Sequence, residues 1–340
     1  MKKLFFFAIV ALGMTAACQK PDAPVDETNE PVAIQFGVKA PVASVTKTKA
    51  AVTEWKNTPV HVLASNYTSK TFKWVESGTI AEGDETITFN NTPLFYEGDI
   101  AYDFRACYLG DDVTALTGVT SFSVPVKITG DEDIMAATTN RSDDLDNATP
   151  PEGKNKPTDA QMYSAFAARR NVHPSLTFQH MLTRVKVTVN YVGTQQGDLE
   201  VSLGDLTVNS KTDGTLNLEG TTPVLTMSGN ASPLAITLTD NKGDIMIEPG
   251  LTELVFAFNL YANALGDSNP EASGFTLKAK DVQNTQGNAE LTAFNAGEMY
   301  DVTITVYDLE EITVTATITP WAEGGDYTYD PDDENWTPAA

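Results

Sequence analysis

Only two cysteines, Cys18 and Cys107, and three histidines, His61, His173 and His180, occur in 340 residues. So few thiols exclude a disulfide scaffold and a cysteine-rich metal module, so the fold must stand on its hydrophobic core. Basic residues are scarce too: 22 Lys and Arg against 46 Asp and Glu give a net charge of −24. A chain this acidic repels phosphate backbones and anionic headgroups, which excludes nucleic acid as a partner. Arginine is absent from Gln19 to Phe104. After Cys18 no apolar run is long enough to cross a bilayer as a helix. No GxSxG, HExxH, P-loop or strand-to-helix GxGxxG is present, so the pattern offers no catalytic residues, no cofactor and no metal site.

What the chain does carry begins at its first residues. Lys2 and Lys3, the run LFFFAIVALGM and the small residues Thr15-Ala-Ala before Cys18 make a secretory signal peptide over residues 1–17. With cysteine after the cut, the segment reads as a lipobox, and Cys18 becomes the acylated first residue of a bacterial lipoprotein. An ordinary cleavage site followed by a chance cysteine is the alternative. Loss of Met1–Ala17, which carries two lysines and no acid, takes the net charge from −24 to −26. Membrane attachment then rests on the lipid at Cys18 and not on a basic patch. Residues 18–31, rich in Pro, Asp and Glu, form a disordered tether. Their acids serve either as an export address or as a solvated spacer.

From Pro31 onward strand follows strand. Ile34, Phe36, Val38 and Ala40 alternate with Gln35, Gly37 and Lys39, the period of a half-buried strand. PVHVLASNY, TFKWV, ETITFN, IAYDFRACYL, TSFSVPVKI and DIMAA follow, separated by turn signals such as AEGD, NNTP and LGDD. The one helical candidate, Asp159–Arg170, closes a polar interruption that starts at Thr138, and we read that stretch as a long loop near a domain boundary. In PSLTFQHMLTRVKVTVNYV, Leu176, Phe178, His180 and Leu182 hold one parity and Val185, Val187, Val189 and Tyr191 the other. A slip of one residue flips every side chain, so a bulge or a change of sheet is expected near Thr183 and Arg184. Near the end, Tyr300, Val302, Ile304 and Val306 share one face, and Ile312, Val314, Ala316 and Ile318 another, with threonines opposite. Many short strands and hardly a helix imply an all-β fold of two tandem Ig-like β-sandwiches. The expected limits are 32–172 and 173–325, followed by an acidic tail, 326–340.

Individual residues read mostly as structural. His180 shares its parity with Phe178 and Leu182 and is expected to be a buried, hydrogen-bonded histidine, not a ligand or base. Cys107, on the face opposite Phe104 and Tyr108, reads as a buried small hydrophobe. The acids Asp326, Asp330, Asp332, Asp333 and Glu334 lack the glycine and closing glutamate of an EF-hand loop, so they read as a solvated tail, as do Asp143, Asp144 and Asp146. Phe72 and Trp74 are expected on one strand face, and Trp55 and Trp74 read as core residues in preference to a sugar-stacking platform.

The lipobox at Cys18, the first strand IQFGV followed by KTKA, and then IAYDFRACY, DEDIMAA, LTFQHMLTRVKVTV, NAGEMYDVTITV and ITPWAEGG stand in one order along the chain. That order resembles the fimbrillin family of Bacteroidales, lipoprotein pilins of type V pili with their anchor and tip relatives. The resemblance implies two transthyretin-like sandwiches exported as a lipoprotein to the outer membrane and cell surface. It also implies a protease cut behind the first strand, which opens a groove that a C-terminal strand of the next subunit fills. Partners would be other copies or related pilins, with a host surface or glycan as a further ligand. Ile312, Val314, Ala316 and Ile318 match the displaced Ile34, Phe36, Val38 and Ala40 in pattern, as β-strand addition requires. A plain strand completing its own sandwich is the other reading, and the tail with Tyr327, Tyr329 and Trp336 is the alternative donor. Polymers built this way run head to tail without closing. The family cut follows arginine, whereas the basic residues here are Lys47 and Lys49, ahead of Ala50. A lysine fits an arginine pocket poorly. Either another protease cuts after Lys49, or the chain stays uncut as an anchor or accessory subunit. A glycan-binding surface lipoprotein is the alternative from another class.

Overall fold

The computed structural model describes residues 30–39, 55, 57–82, 84–91, 93–98, 100–192, 201–262, 270–283, 290–307 and 312–320. Cys18, Ala40, Lys47, Lys49, Ala50, the signal peptide and the tail 326–340 lie outside the described residues.

The strands of the first half are β1 (Gly37–Lys39), β2 (Thr58–Asn66), β3 (Phe72–Ile80), β4 (Thr88–Phe89), β5 (Tyr102–Tyr108), β6 (Ser123–Lys127), β7 (Met135–Thr139) and β8 (Ser175–His180). Between β7 and β8 lie two short helices, α1 (Arg141–Asp146) and α2 (Ala165–Ala168). The second half holds β9 (Thr183–Tyr191), β10 (Val201–Ser210), β11 (Asp213–Asn217), β12 (Val224–Ser228), β13 (Ser232–Ala235) and β14 (Lys242–Ile247). It closes with β15 (Glu253–Ala262), β16 (Glu271–Lys278), β17 (Glu298–Val306) and β18 (Ile312–Pro320). The fold is all-β, as the alternation implies.

Four sheets form, in the orders β1-β8-β7-β5-β2-β3-β4, β12-β11-β6, β13-β10-β15-β16 and β14-β9-β17-β18. The last two face each other across one core, in which Val185, Val187, Phe256, Leu260, Tyr300 and Ile304 are buried. That packing is a β-sandwich built from alternating strands.

The seven-stranded sheet is different, because it is covered on both faces. Phe104, Ala106 and Tyr108 of β5 point into one core with Phe36, Tyr163 and Phe178, while Cys107 points into another with Val124, Leu216 and Leu218. Strand β2 accordingly has buried residues from Pro59 to Ser65. A strand with two dry faces cannot alternate apolar with polar. On β3 the expected shared face of Phe72 and Trp74 is overturned. A bulge lets Ala64 pair with Trp74 and Ser65 with Phe72, so Lys73 is the extra residue. Phe72 turns to Phe122 on one side of the sheet, and Trp74 turns to Phe104 on the other.

The domain limits also differ from 172/173. Strand β8 pairs with β1 and β7 inside the first sheet, and the chain enters the second sandwich only at Thr183. The change of sheet thus falls at the parity switch before Thr183 and Arg184. Residues 213–228 depart from the expected 173–325 unit as well, since β11 pairs with β6 of the first half. The stretch after Thr138 is no boundary loop. Ala148, Met162, Tyr163, Ala165, Ala167 and Ala168 are buried against the first sheet and make it a strap over one face.

Arg141 pins that strap. Its Nε donates to Asp103 Oδ1 at 2.8 Å, Nη1 to Asp159 O at 2.5 Å and Nη2 to Tyr102 O at 2.5 Å. The guanidinium lies 3.7 Å from the Tyr67 ring centre and 4.8 Å from that of Tyr163. Burial alone would raise the Asp103 carboxyl, but hydrogen bonds from Lys70 and Arg141 outweigh it and hold the group below the usual carboxylate value. A lowered native value stabilises the fold above the unfolded value, near pH 4, and the benefit is lost as pH falls through the native value. Arg141→Ala is therefore expected to cost about 1–3 kcal/mol in urea unfolding at pH 7, since it removes one of the two cations bonded to Asp103. The gap from the unsubstituted chain should narrow in acid, measured by repeating the titration from pH 7 to pH 3.

Candidate functional site

The first strand lies deep in the core and is bonded along both of its sides. β1 runs parallel to β8, with Gly37 opposite Ser175, Val38 opposite Leu176 and Lys39 opposite Thr177. Its other side meets residues 85–96. Val38 N–H donates to Glu85 O at 2.8 Å, Ile34 N–H to Leu94 O at 2.8 Å, and Tyr96 N–H to Val32 O at 3.0 Å. Residues 32–39 therefore lie in a slot with β8 on one bank and residues 85–96 on the other.

Side chains at alternate positions fill the slot floor. Ile34, Phe36 and Val38 are 5%, 2% and 2% exposed, while Gln35 and Lys39 face solvent. Phe36 sits edge-on to Phe104 at 4.8 Å and to Phe89 at 5.7 Å between ring centres. Trp55, which re-enters the core past the undescribed stretch, packs edge-on to Phe178 of β8 at 5.4 Å. Three of the four residues expected on the first strand, Ile34, Phe36 and Val38, thus share this slot.

The other expected element is far from that slot in pairing. In β18, Ile312 to Pro320 pair with β17 from Val306 to Glu298, and Ala316 and Ile318 are buried in the second sandwich with Ile312 and Val314 packed against it. Its outer side is also engaged: Gln283 N–H donates to Ala316 O at 2.9 Å, and Ile318 N–H donates to Gln283 O at 3.2 Å. β18 thus completes its own sandwich.

The remaining candidates resolve into structural contacts. His180 Nδ1 meets the buried Asp133 carboxylate, and Asp133 is pushed up chiefly by burial, against the His180 hydrogen bond that lowers it. His61 lies 2.9 Å from Ser77 Oγ, and burial lowers its pKa. Burial pushes the Cys107 thiol up to about 12, so it is neither nucleophile nor metal ligand at neutral pH. Asp144 is taken up by Tyr163 Oη at 2.6 Å and Ser175 N at 2.9 Å. Among the described residues no helix is long and apolar enough to cross a membrane.

Sequence reasoning missed the 85–96 bank and the pin at Arg141. ETITFN signals a strand, but nothing in it tells which strand it borders, and a lone arginine carries no pattern at all.

The fold is that of an all-β protein of stacked sandwich sheets, with the first strand seated between β8 and residues 85–96. The fimbrillin-like family model matches residues 48–321, and the chain belongs to that family. The family is one of structural pilus subunits, not of enzymes, and points to the surface fimbrium. Among solved structures, a candidate cell adhesion protein from Bacteroides uniformis is similar at 17% identity and a TM-score of 0.53, covering 86% of this chain and 99% of that one. A second from Bacteroides ovatus is similar at 12% identity and a TM-score of 0.53, covering 87% and 100%. A fimbrilin from Porphyromonas gingivalis aligns at 10% identity and a TM-score of 0.44, covering 85% and 97%. A search of curated proteins finds no match.

Seating of the first strand depends on its alternate side chains. Phe36→Ala is expected to cost about 3–4 kcal/mol in the strand-retaining chain, whereas Gln35→Ala stays within about 0.5 kcal/mol. Paired urea titrations check this, and equal losses at the two positions would contradict the slot.

Proposed function

We propose that the chain is a pilus subunit delivered to the outer membrane by a lipid on Cys18 and assembled head to tail by β-strand addition at the first-strand slot. The observation that carries this reading is the seating of residues 32–39, whose backbone lies between β8 and residues 85–96 and whose Ile34, Phe36 and Val38 enter the core at alternate positions. Such a segment is anchored by burial worth about 1.5–3 kcal/mol per apolar side chain, and an equivalent strand recovers that burial on replacing it.

A cut after Lys47 or Lys49, leaving Ala50 or a nearby residue as the new N-terminus, removes Ile34, Phe36, Val38 and Ala40 together with the lipid. Trp55 stays behind against Phe178. If no protease cuts, Cys18 remains the permanent foot of an anchor subunit.

For the donor, what favours residues beyond Pro320 is the engagement of β18 on both sides. Releasing Ile312, Val314, Ala316 and Ile318 would break their own sandwich. Tyr327 and Tyr329 stand two apart, as alternate pockets require, and an aromatic ring matches the phenyl-lined pocket of Phe36.

Deleting residues 326–340 is expected to leave the melting temperature of the monomer unchanged and to abolish polymer ladders on the cell surface. Deleting 312–340 should abolish ladders and also destabilise the monomer. Ladders that survive both deletions would rule out a C-terminal donor. Mass spectrometry of the surface-exposed chain should give Ala50 at the N-terminus in polymers, and an acylated Cys18 in subunits that serve as the foot.

A further inference from the structure

A second edge of the first half is filled by chain from far along the sequence. β11 pairs antiparallel with β6 from Asp213 opposite Lys127 to Asn217 opposite Ser123. Two more bonds extend the ladder, Ile128 N–H to Thr212 O at 2.7 Å and Leu218 N–H to Phe122 O at 2.8 Å. Leu216 and Leu218 are fully buried beside Leu63, Cys107 and Val124. From β5, Arg105 Nε donates to Leu218 O at 2.7 Å and Nη2 to Glu219 O at 3.2 Å, with the guanidinium 4.7 Å from the Phe122 ring centre. Thr138 Oγ1 donates to Thr221 O at 2.9 Å.

The same hairpin makes no ladder with the sandwich it is threaded from among the described residues, although Leu225 and Met227 share a core cluster with Leu234, Met246 and Met299. Among the described residues, its strands β11 and β12 pair only with each other and with β6. Its root is gripped where it leaves β10, by Lys211 N–H donating to the buried Glu248 Oε1 at 2.8 Å. The hairpin is tight: a Cβ at Gly214 would lie 2.9 Å from Thr226 O and 2.8 Å from Met227 Sδ.

We infer that the β6 edge is a second strand-acceptor site, and that residues 213–228 occupy it in cis as an antiparallel hairpin ligand. It is distinct from the first-strand slot, since it covers the opposite face of the seven-stranded sheet. Without the hairpin, the core around Leu63 and Cys107 loses Leu216 and Leu218, and β6 has no partner strand among the described residues. The edge recognises backbone through the ladder, leucines at alternate positions through the core, and the end of the strand through Arg105.

The test replaces residues 213–228 by a short Gly-Ser linker in the otherwise intact, first-strand-retaining chain and adds a synthetic peptide spanning residues 211–230. Hydrogen exchange is expected to show lost protection in β5 and β7 with the second sandwich intact, and saturable recovery on adding the peptide. A peptide with both Leu216 and Leu218 changed to Ser should not restore it. Protection of β5 and β7 within about twofold of the unaltered chain would overturn the inference. Should the linker chain fail to fold, the unaltered chain decides. There, β11 amides should exchange in step with β5 and β7, and Arg105→Ala should speed β11 exchange by about tenfold ahead of β10 and β15. Exchange of β11 in step with β10 and β15 would equally overturn it.

Discussion

A β-sheet that buries both of its faces has to be covered twice. The seven-stranded sheet of this protein is in that position, with Phe104 and Ala106 on one dry face and Leu63 and Cys107 on the other. Each cover is made of something other than an ordinary sandwich partner. On one side lie the strap after β7 and the inward side chains of β1 and residues 85–96, at the edges of the sheet; on the other lie β6 and a hairpin from the second half. The slot, the pin at Arg141 and the crossing hairpin are all consequences of that one requirement.

Because covers of this kind are not equally attached, they are not equally removable. The strap is tied by Arg141 to Asp103, Tyr102 and Asp159, and its alanines sit in the core. The hairpin is held by a full ladder and by Arg105. The first strand is bonded on both banks and enters the core with Ile34, Phe36 and Val38.

β8 links the covers to the rest of the chain. Leu176 and Phe178 line the first-strand slot, and beyond Leu182 the strand direction continues as β9 in the middle of the second sandwich, beside β17 and one strand from β18. The chain thus passes between His180 and Thr183 from the sheet that holds the first strand to the sheet that holds β17 and β18. His180 and Asp133, buried together at the end of β8, mark the point where the chain changes sheets.

The sequence by itself determined the all-β class, the first strand with Ile34, Phe36 and Val38 inward, and the faces of β17 and β18. It also located the change of sheet before Thr183 and the burial of His180 and Cys107. These are legible because the period of two is written in neighbouring residues, and a parity switch is local. It did not determine the bulge at Lys73 that sends Phe72 and Trp74 to opposite faces, because one extra residue in a ladder leaves no trace in composition. Nor did it determine that residues 138–172 are a strap, or that residues 85–96 flank the first strand. The allocation of 213–228 to the first half was equally hidden, since alternation says which face of a strand is apolar and never which sheet receives it. Partner choice depends on contacts between residues as distant as Lys127 and Asp213, and only the tertiary structure decides those.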